Sequence, residues 1–306
     1  MAKVFIDGEA GTTGLQIRDR LAGLDGIDVI SIDAALRKDD AARQDMMREA
    51  DVVILCLPDD AAREAVVLAD ALGADAPGII DASSAHRTAE GWVYGFAELF
   101  KGQADRIAAA RKVSNPGCYP TGAIALLRPL IDARLLPSDH PVSINAVSGY
   151  SGGGKSMIAD YEAGTADAFQ LYGLGLHHKH VTEMQLYSGL TTRPIFIPSV
   201  AAFAQGMLVS IPFHLSTLTG NPNAGDLAAA LTAHYDDTPR IRVTAEAIDA
   251  TKGKLEPQAL NGTDDMELFV FADDALGHAV LVARLDNLGK GAAGAAVQNL
   301  RLMVGH

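Results

Sequence analysis

The first 115 residues follow one pattern: short apolar runs of strand length alternating with amphipathic stretches of helical length. Val52–Leu57 is solidly apolar, and Lys3–Asp7, Asp28–Ile32 and Gly78–Ala82 have the same strand length. Thr12–Ala22, Asp39–Glu49 and Asp60–Leu72 lie between them with helical spacing. Strands without polar alternation need cover on both faces, which parallel βαβ crossovers supply. The pattern therefore predicts an α/β fold with a doubly wound parallel sheet. After Cys118 it changes. Val142–Val147 alternates, Met207–Ile211 reads as a strand, and Glu267–Phe271 is expected to pair with Ala279–Leu285 across the Asp273–Gly277 turn. This predicts a second, α+β domain with a mixed or antiparallel sheet. Ala292–Val304 reads as a helix and Asn221–Gly225 as a plain loop.

A chain of 306 residues suggests two domains. The net charge of -13 argues against nucleic-acid and anionic-membrane partners, because like charge repels. The chain opens on Met-Ala-Lys and enters a strand at once, so no signal peptide is expected. Two cysteines, Cys56 and Cys118, fit a reducing, cytoplasmic setting better than a disulfide framework. Residues 194–213 carry no charge, but Pro194, Pro198 and Pro212 oppose a spanning helix. That stretch reads as strand, loop and strand.

Gly8, Gly11 and Gly14 directly follow the first strand and open the first helix. Glycines let a backbone approach a pyrophosphate, and free N–H groups at a helix start receive its charge. The spacing is G-x-x-G-x-x-G, a variant of the dinucleotide fingerprint. Thr12 and Thr13 either donate hydroxyls to the ligand or cap the helix. Asp33, near the end of the second strand, suits a ribose diol and NAD. Arg37 and Lys38 suit a 2′-phosphate and NADP.

Ser114-Asn115-Pro116-Gly117-Cys118 forces a turn ahead of an apolar helical run over Gly122–Ile131. Cys118 thus falls near a helix N-terminus, where a thiolate is favoured for covalent catalysis. Cys56, inside an apolar strand, reads as inert core. A thiolate enzyme needs an acid/base partner, and the segment from His177 through His178, Lys179 and His180 to Glu183 offers one. Glu183 is placed to orient His180 if the segment is helical, and Lys179 to neutralise an anion. No metal-ligand spacing appears.

Gly149–Ser156 satisfies G-x-x-x-x-G-K-[ST], the phosphate loop of nucleotide triphosphatases. Its mid-chain position, with no βαβ alternation after it, favours a different reading: a flexible, donor-rich loop for an anionic substrate, with Lys155 one candidate cation. A non-catalytic dinucleotide-binding redox sensor is the remaining alternative, and it has no need of the histidine cluster.

Asp7–Gly14, Asp81–Arg87, Asn115–Thr121, Ser148–Lys155, Asp286–Gly294 and Gln298-Asn299, in that order, resemble the N-acetyl-gamma-glutamyl-phosphate reductase family. The similarity is to its shorter branch, within the semialdehyde dehydrogenase-like group. It implies a Rossmann-type domain for NADP built from residues 1–117 and 287–306, and a catalytic and dimerisation domain over 118–286. It also implies NADPH, an acyl phosphate substrate and a homodimer or homotetramer. Cys118 matches the nucleophile, and His180, with His178, the acid/base region. Gly8, Gly11, Thr12, Thr13, Gly14 and Ser83 match the cofactor site, which Asn287, Gly289 and Gly294 close. Arg87, Arg111, Ser148, Gly149, Lys155, Lys179 and Glu183 are the candidates for binding substrate. Relatives of the longer branch carry an arginine where this chain has Gln205.

Overall fold

The computed structural model describes residues 1–305; His306, the last residue of the expected nucleotide domain, lies outside them. The chain divides into two compact units. One comprises residues 1–97, 101–117 and 292–306, and the other residues 98–100 and 118–291.

In the first unit, six strands form a wholly parallel sheet. They are β1 (Ala2–Asp7), β2 (Ile27–Ile30), β3 (Val52–Leu55), β4 (Gly78–Asp81), β5 (Val93–Tyr94) and β6 (Lys112–Ser114), in the order β2-β1-β3-β4-β6-β5. The helices are α1 (Thr12–Leu21), α2 (Asp40–Glu49), α3 (Asp59–Asp70), α4 (Gln103–Ala108) and, returning from far along the chain, α10 (Gly294–Val304). Alternate residues of one strand feed two cores. Val4, Ile6, Val52 and Ile54 pack with Ile17, Leu21 and Ile107, and with Ala296, Val297 and Leu300 of α10. Phe5, Val53 and Leu55 pack with Met47 of α2 and Ala62, Ala65, Val66 and Ala69 of α3. Both faces are covered, as the unbroken apolar runs require. The strand order reverses between β1 and β3, so the carboxyl ends of those strands bound the ligand crevice of such a sheet.

The second unit holds a seven-stranded mixed sheet. Its strands are β7 (Ser143–Gly149), β8 (Phe169–Leu171), β9 (Ile195–Ala201), β10 (Met207–His214), β11 (Ile241–Thr244), β12 (Met266–Asp273) and β13 (His278–Leu285), in the order β11-β12-β13-β10-β7-β9-β8. β12 and β13 form the expected antiparallel hairpin, with Asp273 opposite His278. Residues 194–213 fold as β9, a turn and β10. The helices are α5 (Cys118–Asp132), α6 (Gly154–Glu162), α7 (His180–Ser188), α8 (Ala224–His234) and α9 (Ala247–Thr251). α5 lies close on the sheet because Gly122 has no side chain; a Cβ there would stand 2.8 Å from a methyl of Val209.

Two expectations need correction. Ala224 and Gly225 are not loop but the first turn of α8, capped by Asn223, whose side chain accepts from Asp226 N while Asp226 accepts from Asn223 N. The return to the first unit falls after Gly291 rather than before Asn287. Asp286, Asn287 and Lys290 all bond inside the second unit. Among the described residues no helix is long and apolar enough to cross a membrane.

Candidate active site

In the first unit, the β1–α1 turn folds back on itself. Gly8 has φ +90°, and a Cβ there would run into the Cys56 carbonyl at the end of β3. Gly11 N donates to Gly8 O at 2.9 Å, and a Cβ at Gly14 would lie 2.6 Å from that same oxygen. α1 has no side-chain cap and no acid in its first turn, so its leading N–H groups suit an anion. Thr12 and Thr13 are half-buried beside them.

Asp33 lies beyond β2 and caps the next turn, accepting from Ala35 N at 2.8 Å. Its carboxylate is thereby folded onto its own backbone, while Arg37 and Lys38 stay exposed. The residue directly after β2 is Ser31, whose hydroxyl donates to Glu9 in the glycine turn.

The loop after β4 is organised by Asp81, which is fully buried. It accepts from Ser83 N and Ser83 Oγ, both at 2.8 Å, and lies 2.6 Å from His86 Nδ1. Ser83 Oγ in turn accepts from Ala85 N, so this hydroxyl shapes the loop and has its proton committed to Asp81. His86 stacks on Trp92 with ring centroids 4.3 Å apart. The sequence did not single out His86; its acidic partner five residues earlier was the available signal.

Arg87 is buried and donates to Asn115 O (3.0 Å) and Ala82 O (3.4 Å). Asn115 also donates to Ala292 O and accepts from Asn299, each at 3.0 Å. The turn leading to Cys118 is thus held from three sides, and Gly294 is buried at the head of α10 close by in sequence. Arg111 does not join this group. It precedes β6, at the end of the sheet opposite the glycine turn, and donates to Ala76 O.

In the second unit, Cys118 is the first residue of α5 and is half-buried. That placement puts the helix dipole and leading N–H groups on the side of the thiolate. Two tyrosines that the sequence reading overlooked accompany it. Tyr172 OH donates to Tyr119 OH, which donates to Ser199 O, both at 3.0 Å. Burial, reinforced by the neighbouring Tyr172 and Cys118, pushes Tyr119 far above the usual phenol range, and burial with Cys118 takes Tyr172 up to about 12. They remain neutral hydrogen-bonding groups. For Tyr119 the Cys-Tyr adjacency was the available sequence signal.

The histidines sit on the same side of this unit. His180 opens α7 and is buried, and His178 is half-buried 4.7 Å from it between ring centroids. His180 N donates to His178 Nδ1 at 3.2 Å. An N–H donor on Nδ1 selects the neutral tautomer with its proton on Nε2. Tyr119, Tyr172 and Phe196 ring His178 at centroid distances of 6.3, 5.9 and 5.2 Å. His180 lies 5.9 Å from Tyr119. Glu183 is buried three residues along α7, whereas His177 and Lys179 are exposed. Among the described residues no group of three His, Cys, Asp or Glu side chains is placed to hold a metal ion.

The 149–156 loop departs from the flexible, donor-rich reading. Gly149 N, Tyr150 N and Ser151 N donate to Gly206 O, Phe203 O and Ala204 O at 2.9–3.0 Å. The amides that open this loop are therefore committed to the backbone beside them. Ser148 Oγ donates to Gly149 O, and a Cβ on Gly149 would lie 2.6 Å from Ala204 backbone atoms. β7 also has an antiparallel neighbour, β10, unlike the strand of a triphosphatase loop. Lys155 is exposed on α6. Asn287 donates to Ser151 Oγ (3.0 Å) and accepts from Gly206 N (2.8 Å), and Gly289 packs against Thr263 O. Both Asn287 and Gly289 serve to brace this unit.

A parallel, glycine-turned nucleotide sheet followed by a mixed-sheet unit headed by a cysteine is a two-part dehydrogenase plan. Residues 6–107 match the family model described as semialdehyde dehydrogenase, NAD binding domain, and residues 118–287 match semialdehyde dehydrogenase, dimerisation domain. The chain belongs to the semialdehyde dehydrogenase family. It is 56% identical to the N-acetyl-gamma-glutamyl-phosphate reductases of Brucella ovis and Brucella abortus, over 99% of this chain and 99% of each relative. Among solved structures it is similar in fold to aspartate semialdehyde dehydrogenase II of Vibrio cholerae complexed with ASA (TM-score 0.72, 15% identity, 99% of this chain and 98% of that one). It is also similar to the Candida albicans aspartate semialdehyde dehydrogenase with NADP (TM-score 0.69, 12% identity, 99% of both chains).

Proposed function

We propose that this chain reduces N-acetyl-gamma-glutamyl phosphate to N-acetylglutamate 5-semialdehyde and phosphate with NADPH, as the names of its 56%-identical relatives imply. The observation that carries the mechanism is Cys118 at the head of α5 in the same unit as the His178–His180 pair. The glycine turn fits the cofactor: Gly8 and Gly14 leave room that a Cβ would fill, beside uncapped N–H groups. Asp33, turned onto Ala35, and the exposed Arg37 and Lys38 favour a 2′-phosphate over a bare ribose diol.

The Cys118 thiolate attacks the acyl carbon. The acyl–oxygen bond breaks, phosphate departs and a thioester forms on Sγ. NADPH, when bound, supplies the hydride that reduces the thioester carbon. The resulting thiohemiacetal expels Sγ and yields the aldehyde, and His180 carries the one proton that the reaction takes up. His178, fixed as its neutral tautomer, holds His180 in place through the backbone bond. Arg87, Lys155 and Lys179 remain the cationic candidates for the substrate's phosphate and carboxylate.

Edge strand β8 and the loop after it expose Phe169, Leu171, Leu174 and Leu176 about half or more. We place the contact with a second copy there, in a domain whose family model is described as a dimerisation domain. Sedimentation showing only monomers at micromolar concentration would remove this placement. A cytoplasmic setting keeps the Cys118 thiol reduced.

Cys118→Ser tests the mechanism. The variant is expected to lose at least ~1,000-fold in phosphate-dependent oxidation of the semialdehyde while still binding NADPH. Turnover near that of the parent enzyme would rule out the thioester route.

A further inference from the structure

The segment 286–291 has more buried polar contacts than a connector needs. Asp286 accepts from Gln205 Nε2 (2.6 Å), Gly262 N (2.8 Å) and Leu288 N (2.9 Å). Lys290, only 1% exposed, donates to both oxygens of the buried Glu98 at 2.7 Å. The segment ends on the nucleophile. A Cβ built on Gly291 would stand 2.8 Å from Cys118 Cβ, closer than real Cβ atoms come to other heavy atoms, and 3.2 Å from Cys118 Cα, a tight contact. Gly291 N donates to Asp286 O at 2.9 Å, an i to i−5 bond that leads into the π-helical turn Gly289–Ala293.

A buried ion pair is a weak source of stability, because desolvating two charges offsets most of their attraction, and an apolar pair of the same volume often does as well. What such a pair does supply is a fixed position. Glu98 comes from a three-residue piece, 98–100, that belongs to this unit while the residues on either side belong to the other. Lys290 is the last residue before the one that touches Cys118.

We propose that segment 286–291, anchored by the Lys290–Glu98 pair, is a backstop that sets where the Cys118 side chain stands, with Gly291 and Lys290 as positioning residues. The inference rests on Cys118 being the nucleophile. Any side chain at Gly291 displaces the Cys118 Cβ or pushes the loop away, and loss of the Lys290 anchor lets the loop drift. A misplacement of about 1 Å at a reacting group costs on the order of 100-fold in rate.

Gly291→Ala is the direct test. Turnover, KM for NADPH and the pH profile of Cys118 alkylation by iodoacetamide are measured together. Peptide mass separates Cys118 from Cys56, which serves as the internal comparison. The expected result is a kcat lower by about 100-fold, an unchanged KM for NADPH and a displaced Cys118 alkylation profile in a chain that melts within a few degrees of the parent. Lys290→Gln with Glu98→Gln keeps a hydrogen-bonded pair without the charges; it is expected to fold and to lose about tenfold in kcat, with the same displacement. A folded variant of either kind whose kcat or alkylation profile stays unaltered overturns the proposal. Alkylation needs only a thiol at position 118. Failure here is therefore separate from failure of the thioester route, which Cys118→Ser reads.

Discussion

The two cysteines show how residue-scale surroundings divide chemistry. Burial, reinforced by the Asp81 and Asp7 carboxylates, pushes the Cys56 thiol up to about 12, so it stays protonated and unreactive at neutral pH. Cys118 instead opens a helix beside two phenols that keep their protons. Histidine burial sets a second, measurable property. His234 Nε2 donates to Leu99 O at 3.0 Å, and burial lowers its pKa below the ordinary ~6.5, against the upward pull of Leu99 and Asp132. Burial lowers His140 as well. The unfolded chain takes up these protons below about pH 6.5 while the folded chain resists them, so stability falls as pH drops through that value. Asp7 runs the other way. Burial raises its carboxyl despite Arg43, so its contribution is greatest in acid and fades as pH rises through the raised value. His234→Gln keeps a donor for Leu99 and removes one titration. Its melting temperature should drop less than the parent's between pH 7.5 and pH 5.5, and an equal drop would show that His234 does not contribute.

At the scale of elements, Lys155 tests whether the loop before α6 is a phosphate cradle. With the Gly149, Tyr150 and Ser151 amides donating to the 203–206 segment, Lys155→Ala should weaken acyl phosphate use several-fold in KM and reveal no ATP hydrolysis. ATP hydrolysis abolished by this change would restore the triphosphatase reading. The loop also marks where sequence is silent. Its three partners lie some fifty residues away, and nothing in the G-x-x-x-x-G-K-S spacing reports them. Local patterns were legible: the parallel strands through unbroken apolar runs, the β12–β13 hairpin through its turn, and Cys118 through Asn115-Pro116-Gly117. α8 was legible too and was missed, because the Asn223–Asp226 capping pair sits in a stretch that otherwise reads as loop. The roles of Arg111 and Asp33 stayed open in the sequence for one shared reason. Spacing places a charge near a strand end, but only the fold shows which end of the sheet it occupies or where its carboxylate turns. Tyr172 was beyond reach, since its link to Tyr119 spans 53 positions.

At the scale of the whole chain, the first unit is not built from contiguous sequence. Ala296, Val297 and Leu300 of α10 complete the core that Val4, Ile6, Val52 and Ile54 begin. Leu300→Ala should destabilise this unit by about 2–5 kcal/mol, measured by denaturant unfolding with the single Trp92 as reporter. A loss below 0.5 kcal/mol would mean that α10 is dispensable to that core. The same dependence orders events on the ribosome. The nucleotide-binding part is translated first but cannot close until α10 has emerged, ~170 residues later, which takes roughly 9–35 seconds at typical elongation rates. Throughout that interval the nascent chain carries an open apolar groove, a site for holding chaperones, and the unit that begins last and sits in the middle of the message is free to finish first.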